Sequence, residues 1–136
     1  MMWILHSQGT FHAGPIALGR PRMSRWGVYT PKRSAEYQRI MLKEIEIDHE
    51  PLTGPIKVSM TFCHKRPARL NRKKDTVARI PKVTKPDIDN MIKMLLDVLT
   101  KAKVWKDDNQ VVCVTAEDWY CSKQEEPHTQ WRIYTL

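Results

Sequence analysis

The sequence predicts a single α+β domain, residues 1–136, with a mixed sheet of about four strands and two main helices. Its 136 residues suit one domain, and a chain of this length buries roughly two thirds of its unfolded surface without needing disulfide bonds. Segments with strand-like alternation and segments with apolar residues at helical spacing are both present. Their order is strand, helix, strand, helix, strand, strand, which favours helices packed on a mixed sheet.

The first half of the chain carries one predicted helix between two strands. Residues 2–12 alternate loosely and predict the first strand, whereas glycines and prolines make residues 13–31 irregular or edge-like. Residues 33–48 have apolar side chains at helical spacing, and Ser34 can cap that helix. The run IKVSMTFCH at 56–64 alternates in the manner of a strand.

The second half begins with the clearest helix, predicted over residues 86–102. Its apolar arc spans roughly 200°, which is wider than packing against one sheet requires. Two explanations stay open: the helix is packed from two sides within one subunit, or its surplus forms a homodimer interface through Met91, Met94 and Val98. Strands predicted at 110–121 and 129–136 complete the chain.

Composition narrows the class of partner. The net charge of +8 favours a polyanion, with nucleic acid ahead of an acidic protein or a membrane surface. No apolar run approaches the roughly 18 residues of a transmembrane helix, and the N-terminus lacks the layout of a signal peptide. The three cysteines form no CxxC pair. We therefore expect a protein of the reducing cytoplasm, without a membrane partner or a small-molecule cofactor.

The segment at 65–85 concentrates positive charge. It contains nine basic residues and one acidic residue, Asp75, so its net charge equals that of the whole chain. Such a composition predicts a mobile loop that binds DNA, with a merely solvated loop as the alternative. A second basic stretch, GRPR at 19–22, is followed by Trp26 and Tyr29, which could stack on bases or pack in the core. The predicted DNA contacts are Arg20, Arg22, Arg66, Arg69, Arg72, Lys73, Lys74 and Lys85.

Two pairs of aspartates stand out in this basic chain. Asp87 and Asp89 lie at the start of the predicted helix, where aspartates often serve as caps, and Asp107 and Asp108 lie in a turn. If the pairs converge, they require a cation, and oxygen ligands select Mg²⁺ or Mn²⁺. Lys93 lies one helical turn after Asp89, where its ammonium can hold a phosphate. Convergence requires the turn to fold back along the helix, or the strand to bend.

The motifs PDIDNMIK at 86–93 and WKDDNQV at 105–111, with GRPR at 19–22, resemble the RusA family of Holliday junction resolvases over about residues 14–115. The resemblance implies a homodimeric, Mg²⁺-dependent endodeoxyribonuclease, bacterial or phage-encoded, that cuts four-way DNA junctions by paired symmetric nicks in recombination and repair. It assigns Asp87, Asp89 and Asp108 as catalytic metal ligands and Lys93 as the essential basic (positively charged) residue of the catalytic site. Asp107 matches as a further ligand or a neighbour of the ligands. Leu18 departs from the lysine that family members often carry.

Two other classes of function remain as alternatives. A non-catalytic nucleic-acid-binding module would bind DNA in a salt-sensitive way without cutting it. A structural protein would use its basic loop to bind an acidic partner. A nuclease of the PD-(D/E)xK class is disfavoured because the chain contains neither Asp-x-Lys nor Glu-x-Lys.

Overall fold

The computed structural model describes residues 1–17, 22–25, 27–29 and 32–136, with the backbone alone at 22–24, 28 and 29. Short 3-10 turns lie at Ala68–Leu70 and Asp108–Gln110. Along the chain the strands and helices are β1 (Ile4–Phe11), β2 (Arg22–Ser24), β3 (Gly27–Tyr29), α1 (Lys32–Glu44), β4 (Ile56–His64), β5 (Ile80–Pro81), α2 (Ile88–Lys101), β6 (Val111–Tyr120) and β7 (His128–Thr135).

The predicted α+β class, with a mixed sheet and two main helices, is confirmed. The sheet has five strands in the order β1-β7-β4-β6-β5, and β2 pairs with β3 in a separate hairpin. The sequence missed this hairpin because strands of three residues carry too little alternation to be recognised. The fifth strand, β5, was also missed, since it has only two residues.

The residues cluster into two compact units, each built from separate stretches of chain. The first contains residues 1–15, 55–85 and 111–136 and holds the five-stranded sheet. Its central strand β4 pairs in parallel with β6 and antiparallel with β7. In β4 the alternating side chains Ile56, Val58, Met60 and Phe62 point to one face of the sheet and are buried, at most 2% exposed.

The pairing of β1 with β7 depends on a close approach at Gly9. Gly9 lies opposite Trp131 in this antiparallel pair. A Cβ atom at Gly9 would stand 2.5 Å from Cζ2 of the Trp131 indole. The buried Trp131 ring therefore occupies the space that any side chain at position 9 would need, and it also contacts Phe11 at a ring-centroid distance of 6.3 Å.

The second unit, residues 16–54 and 86–110, holds both helices. Gln38 of α1 joins them, because its Nε2 donates to Asp97 Oδ2 of α2 at 2.5 Å and its Oε1 accepts from Lys101 Nζ at 2.8 Å. After α2, the Trp105 indole donates to the Thr100 hydroxyl, and Leu52 forms a parallel bridge with Trp105. No helix among the described residues is both long and apolar enough to cross a membrane.

The proposed dimer interface on α2 requires a correction. Met91, Met94 and Val98 are at most 2% exposed in the single chain. Side chains buried to this degree within one subunit offer no surface to a second one. The wide apolar arc of α2 is therefore explained by burial within the chain, which was the other explanation that the sequence left open.

Candidate active site

The start of α2 presents three charged side chains to solvent. Asp87 is the N-cap residue, with an extended backbone, but its carboxylate makes no capping hydrogen bond. Asp89 follows in the first turn, and Lys93 lies one turn later. All three are exposed, and within the described chain their side chains take part in no hydrogen bond or ion pair. Capping therefore does not account for Asp87, and these groups are available to a ligand.

Asp107 has a structural role in the turn before β6. Its Oδ1 accepts a hydrogen bond from the Asn109 amide at 3.0 Å, and its own amide donates to Gln110 Oε1 at 2.9 Å. Gln110 Nε2 in turn donates to the carbonyl oxygens of Leu52 and Gly54. These contacts hold the turn that contains both Asp107 and Asp108.

Asp108 lies where negative charge accumulates. The pKa of its carboxyl is raised by a hydrogen bond shared with Asp107, by partial desolvation, and by the charges of Asp107 and Asp97. The turn that contains Asp108 contacts α2. Convergence of the two aspartate pairs would require the turn with Asp108 to fold back along α2. The turn does so in part, because Asp108 lies within electrostatic range of a helix residue.

That helix residue is Asp97 rather than Asp87 or Asp89. Asp97 follows Asp89 by eight residues, which corresponds to about 12 Å of helix rise. Its carboxylate is held by Gln38 and by Lys101, whose Nζ lies 3.1 Å away. Sequence reasoning left Asp97 out of the site, although it shares the polar arc of α2 with Asp89 and Lys93.

The four predicted aspartates do not form a compact cation cage. In the described part of the chain, the only group of three or more His, Cys, Asp and Glu ligand atoms within 4.8 Å of one another is Cys63, Cys121 and His128. The donor chemistry of the aspartates nevertheless fits a hard divalent cation, since they supply exposed carboxylate oxygens alone.

Comparison with known proteins decides the family. The model of the endodeoxyribonuclease RusA family matches residues 13–134, which is nearly the whole chain. The chain belongs to the RusA family. It is also 29% identical to the uncharacterized protein YqaN of Bacillus subtilis (strain 168), over 91% of this chain and 92% of that protein.

Membership of the RusA family makes the protein an endodeoxyribonuclease, a hydrolase that acts on DNA. The family implies activity on Holliday junctions, in recombination and repair, and its nucleases generally depend on a divalent metal. The predicted enzyme class is therefore confirmed, and the alternative of a non-catalytic binding module is not retained. The individual roles of Asp87, Asp89, Lys93 and Asp108 stay predictions.

The prediction that Arg66 contacts DNA is corrected by its surroundings in the structure. Arg66 is only 8% exposed, and its five guanidinium N–H groups are all used within the protein. They donate at 2.7–3.3 Å to the carbonyl oxygens of Leu70, Thr76, Val77, Ala78 and Cys121. Arg66 therefore has no donor left for a phosphate, and it holds together the basic segment from a position near the start of that segment.

The other cations of the basic segment have different surroundings. Arg69, Lys73, Lys74 and Lys85 are exposed. Arg72 is exposed too, but it pairs with Asp75 at 3.1 Å, and this pairing holds the pKa of the Asp75 carboxyl below its usual value. At the N-terminal motif, Arg20 and the side chain of Arg22 lie outside the described residues. The segment is not structureless, since it contains a 3-10 turn and β5; its mobility stays a prediction.

A partly buried polar network lies where the parallel strands β4 and β6 end, and the sequence did not reveal it. His64 Nε2 contacts Asp118 Oδ1 at 2.7 Å, and the Lys82 ammonium, on a side chain 3% exposed, lies 3.5 Å from Asp118 Oδ2. Lys82 also donates to the Thr84 carbonyl, and the Thr84 hydroxyl pairs with the Tyr120 hydroxyl at 2.6 Å. The network anchors residues 82–84, which end three residues before Asp87 in the chain.

Proposed function

We propose that this protein is a homodimeric, Mg²⁺-dependent resolvase that cuts four-way DNA junctions by paired symmetric nicks. One observation carries the proposal. The RusA family matches residues 13–134, and within the described part of that region Asp87, Asp89 and Lys93 are exposed and make no side-chain hydrogen bond or ion pair. Charged groups that the fold leaves unpaired are suited to bind a cation and a phosphate.

In this proposal Asp87, Asp89 and Asp108 hold the cation, and Mn²⁺ can take the place of Mg²⁺. When bound, such a cation supplies Lewis-acid activation of water and neutralises charge on the phosphate. The Lys93 ammonium, one helical turn from Asp89, holds a non-bridging oxygen of the scissile phosphate. It also stabilises the negative charge that grows on the phosphate as the bond breaks.

Asp108 must join the helix start for this set to act together. In the single chain, the helix residue that affects the Asp108 carboxyl is Asp97. Mixed dimers of Asp87→Asn and Asp108→Asn subunits test whether Asp108 acts with Asp87 of its own subunit or of the partner subunit. If Asp108 acts with Asp87 of the partner subunit, each mixed dimer retains one intact site and nicks one strand. If both residues act within one subunit, the mixed dimer is inactive.

The dimer and the substrate are matched in symmetry. A homodimer presents two identical sites related by a twofold axis, and a four-way junction has two equivalent strands to cut. The exposed cations Arg69, Lys73, Lys74 and Lys85 can bind the phosphates of the arms that each subunit holds. The substrate would be bacterial or phage DNA in the cytoplasm.

A cleavage assay on a synthetic four-way junction tests the proposal. With Mg²⁺ present, we expect symmetric nicks, and we expect Asp87→Asn to lower the cleavage rate by roughly 100-fold or more while junction binding persists. Asp48→Asn is the matched control, since Asp48 is an exposed aspartate of the same unit and the charge change is identical. Equal cleavage by Asp87→Asn and the parent would contradict the proposal.

Lys93→Met should reduce cleavage to a comparable extent, because it removes the cation that faces the phosphate. The matched change Lys43→Met, at an exposed lysine in the last turn of α1, should leave the rate unchanged. A wild-type protein that cuts linear duplex as fast as the junction would show a nuclease without the proposed specificity for branched DNA.

A further inference from the structure

A second group of potential metal ligands lies in the unit that holds the sheet, apart from the aspartates in sequence and in chemistry. The sulfur atoms of Cys63 and Cys121 and a ring nitrogen of His128 all lie within 4.8 Å of one another. Cys63 belongs to the end of β4, Cys121 directly follows β6, and His128 begins β7. Both cysteines are buried, with exposed fractions of 0% and 3%, and neither is in a disulfide.

The imidazole of His128 is held in the form that binds metals. Its Nδ1 lies 2.7 Å from the carbonyl oxygen of Glu126. A carbonyl oxygen can only accept, so Nδ1 carries a hydrogen, and in the neutral imidazole the lone pair is then on Nε2. A backbone contact of this kind is the usual way in which proteins fix the tautomer and orientation of a ligating histidine.

The surroundings leave room for an ion and for a fourth ligand. Glu125 Oε2 lies 4.0 Å from His128 Nε2, and Glu125 is itself held by Arg79 at 2.6 Å and by the Ser122 amide. Cys121 and Glu125 also line a cavity of about 280 Å³, which offers a path for an ion and space for a water ligand. The Arg79–Glu125 pair is neutral, so two thiolates can balance the charge of a divalent cation.

The donor set selects the metal. Two sulfurs and one imidazole favour Zn²⁺ over Mg²⁺, which prefers oxygen ligands. In a tetrahedral zinc site the ligand atoms stand about 3.8 Å apart for a sulfur pair, given a Zn–S distance of about 2.3 Å. The three atoms therefore need to move by no more than about 1 Å to reach ligating distances.

We propose that Cys63, Cys121 and His128 bind one Zn²⁺, with Glu125 or a water molecule in the fourth position. Binding releases the two thiol protons to solvent and forms two Zn–S bonds and one Zn–N bond. The ion would link the ends of β4 and β6 to the start of β7 and close the connection of residues 121–127. Its role is structural, and the site is distinct from the one proposed for DNA cleavage.

Cobalt substitution tests the site directly on the full-length protein. We expect the reduced, chelator-treated protein to bind one Co²⁺ per chain with a thiolate-to-metal charge-transfer band, which Zn²⁺ removes and Mg²⁺ does not. The absence of this band in the wild-type protein would overturn the proposal. So would a Cys63–Cys121 disulfide, found by mass spectrometry under reducing purification, in place of bound metal.

Variants assign the band to its ligands. Cys121→Ser should lower the band and weaken Co²⁺ binding at least 10-fold, and His128→Asn should weaken binding similarly while both thiols remain. Cys113→Ser is the matched control, since Cys113 is the third cysteine, lies in β6 and is outside the group. If Cys113→Ser lost the band and Cys121→Ser kept it, the assignment would be wrong.

Thermal melting separates loss of the ligand from loss of the fold. We expect Zn²⁺ to raise the melting temperature of the wild-type protein and of Cys113→Ser, and to leave that of a folded His128→Asn unchanged. A zinc-dependent rise of equal size in His128→Asn would contradict the assignment of that ligand. None of these measurements depends on DNA cleavage, so they hold whether or not the proposed function is correct.

Discussion

At the scale of the residue, Arg66 illustrates how one buried cation can organise a segment in which most other charges are positive. Its five N–H groups meet five carbonyl oxygens from residues 70–78 and 121. Apart from Leu70, which ends a 3-10 turn, these residues lie outside helices and strands, and only the Val77 carbonyl is also shown accepting from a backbone amide, that of Lys123, among the described residues. The guanidinium supplies the hydrogen bonds that secondary structure supplies elsewhere.

We predict that Arg66→Ala lowers the free energy of unfolding by about 3 kcal/mol, because it removes five hydrogen bonds, including the buried one to the Cys121 carbonyl oxygen. Arg66→Lys should recover only part of this loss, since an ammonium has three N–H groups and no planar fork. Urea denaturation followed by circular dichroism measures both variants.

Arg69→Ala is the control for this prediction. Arg69 lies three residues further along the same segment and is exposed, so its loss should change the stability by less than about 0.5 kcal/mol. A stability of Arg66→Ala within the same limit would show that the network contributes little to the folded state.

Composition correctly identified the basic segment as a distinct part of the chain. It could not show which of the segment's cations are exposed and which are buried. Nine cations in 21 residues look alike in sequence. Which of them is buried depends on where the backbone turns, and that is a property of the folded segment. The exposed lysines and the buried Arg66 therefore received the same predicted role.

At the scale of the element, the contact between β1 and β7 depends on the absence of a side chain at Gly9. We predict that Gly9→Ala lowers the free energy of unfolding by about 1–3 kcal/mol, because its Cβ would overlap the buried Trp131 indole and force the strand or the ring to shift. Thermal or urea denaturation measures the loss, and tryptophan fluorescence reports a moved ring.

Gly14→Ala provides the matched comparison. A Cβ at Gly14 would stand 3.6 Å from the Pro127 side chain, which is an ordinary van der Waals contact. The same substitution should therefore be neutral or mildly stabilising at position 14. Equal effects at the two positions would indicate that the space around Gly9 adjusts at no cost.

Individual elements were predicted better than their pairing. The strand at 56–64 was placed at its observed bounds, and α2 and β6 were placed to within two residues, because periodicity is a local property of sequence. The parallel pairing of β4 with β6 was not predictable in this way. Likewise, burial from two sides by the same chain and burial by a partner produce the same wide apolar arc, so Met91, Met94 and Val98 were assigned to the wrong surface.

At the scale of the whole molecule, positive charge should determine how the enzyme responds to salt. We predict that Lys73→Gln combined with Lys74→Gln weakens junction binding and lowers the slope of log affinity against log salt by up to about 1.8, since each lost phosphate contact removes about 0.9. Fluorescence anisotropy with a labelled junction at several salt concentrations measures the slope.

The double variant Arg39→Gln and Lys43→Gln changes the net charge equally, at exposed residues of α1. Its slope should stay close to that of the wild-type protein if the basic segment makes the phosphate contacts. An equal fall in both variants would mean that overall charge, rather than this segment, determines binding.

The family and its reaction were recognisable from motif spacing, whereas the arrangement of the carboxylates was not. The two aspartate pairs and Lys93 could be identified by their separation along the chain. The position of Asp108, within electrostatic range of Asp97, depends on how residues 103–110 turn, with Gln110 bonded to Leu52 and Gly54. These contacts join residues more than fifty positions apart, so local sequence patterns cannot predict them.

The guanidinium of Arg66 bonds to backbone carbonyl oxygens, so the exposed side chains of the basic segment can be substituted without breaking these hydrogen bonds. A carbonyl oxygen is present in every residue, so the bonds to Arg66 do not depend on the side chains at 70–78, although Asp75 and Thr76 also accept hydrogen bonds from this backbone. Substitutions at the segment's exposed positions can alter the shape and charge offered to DNA while the backbone keeps its course. Related enzymes could therefore acquire different preferences for branched DNA by exchanging these exposed side chains, provided that Arg66 is retained.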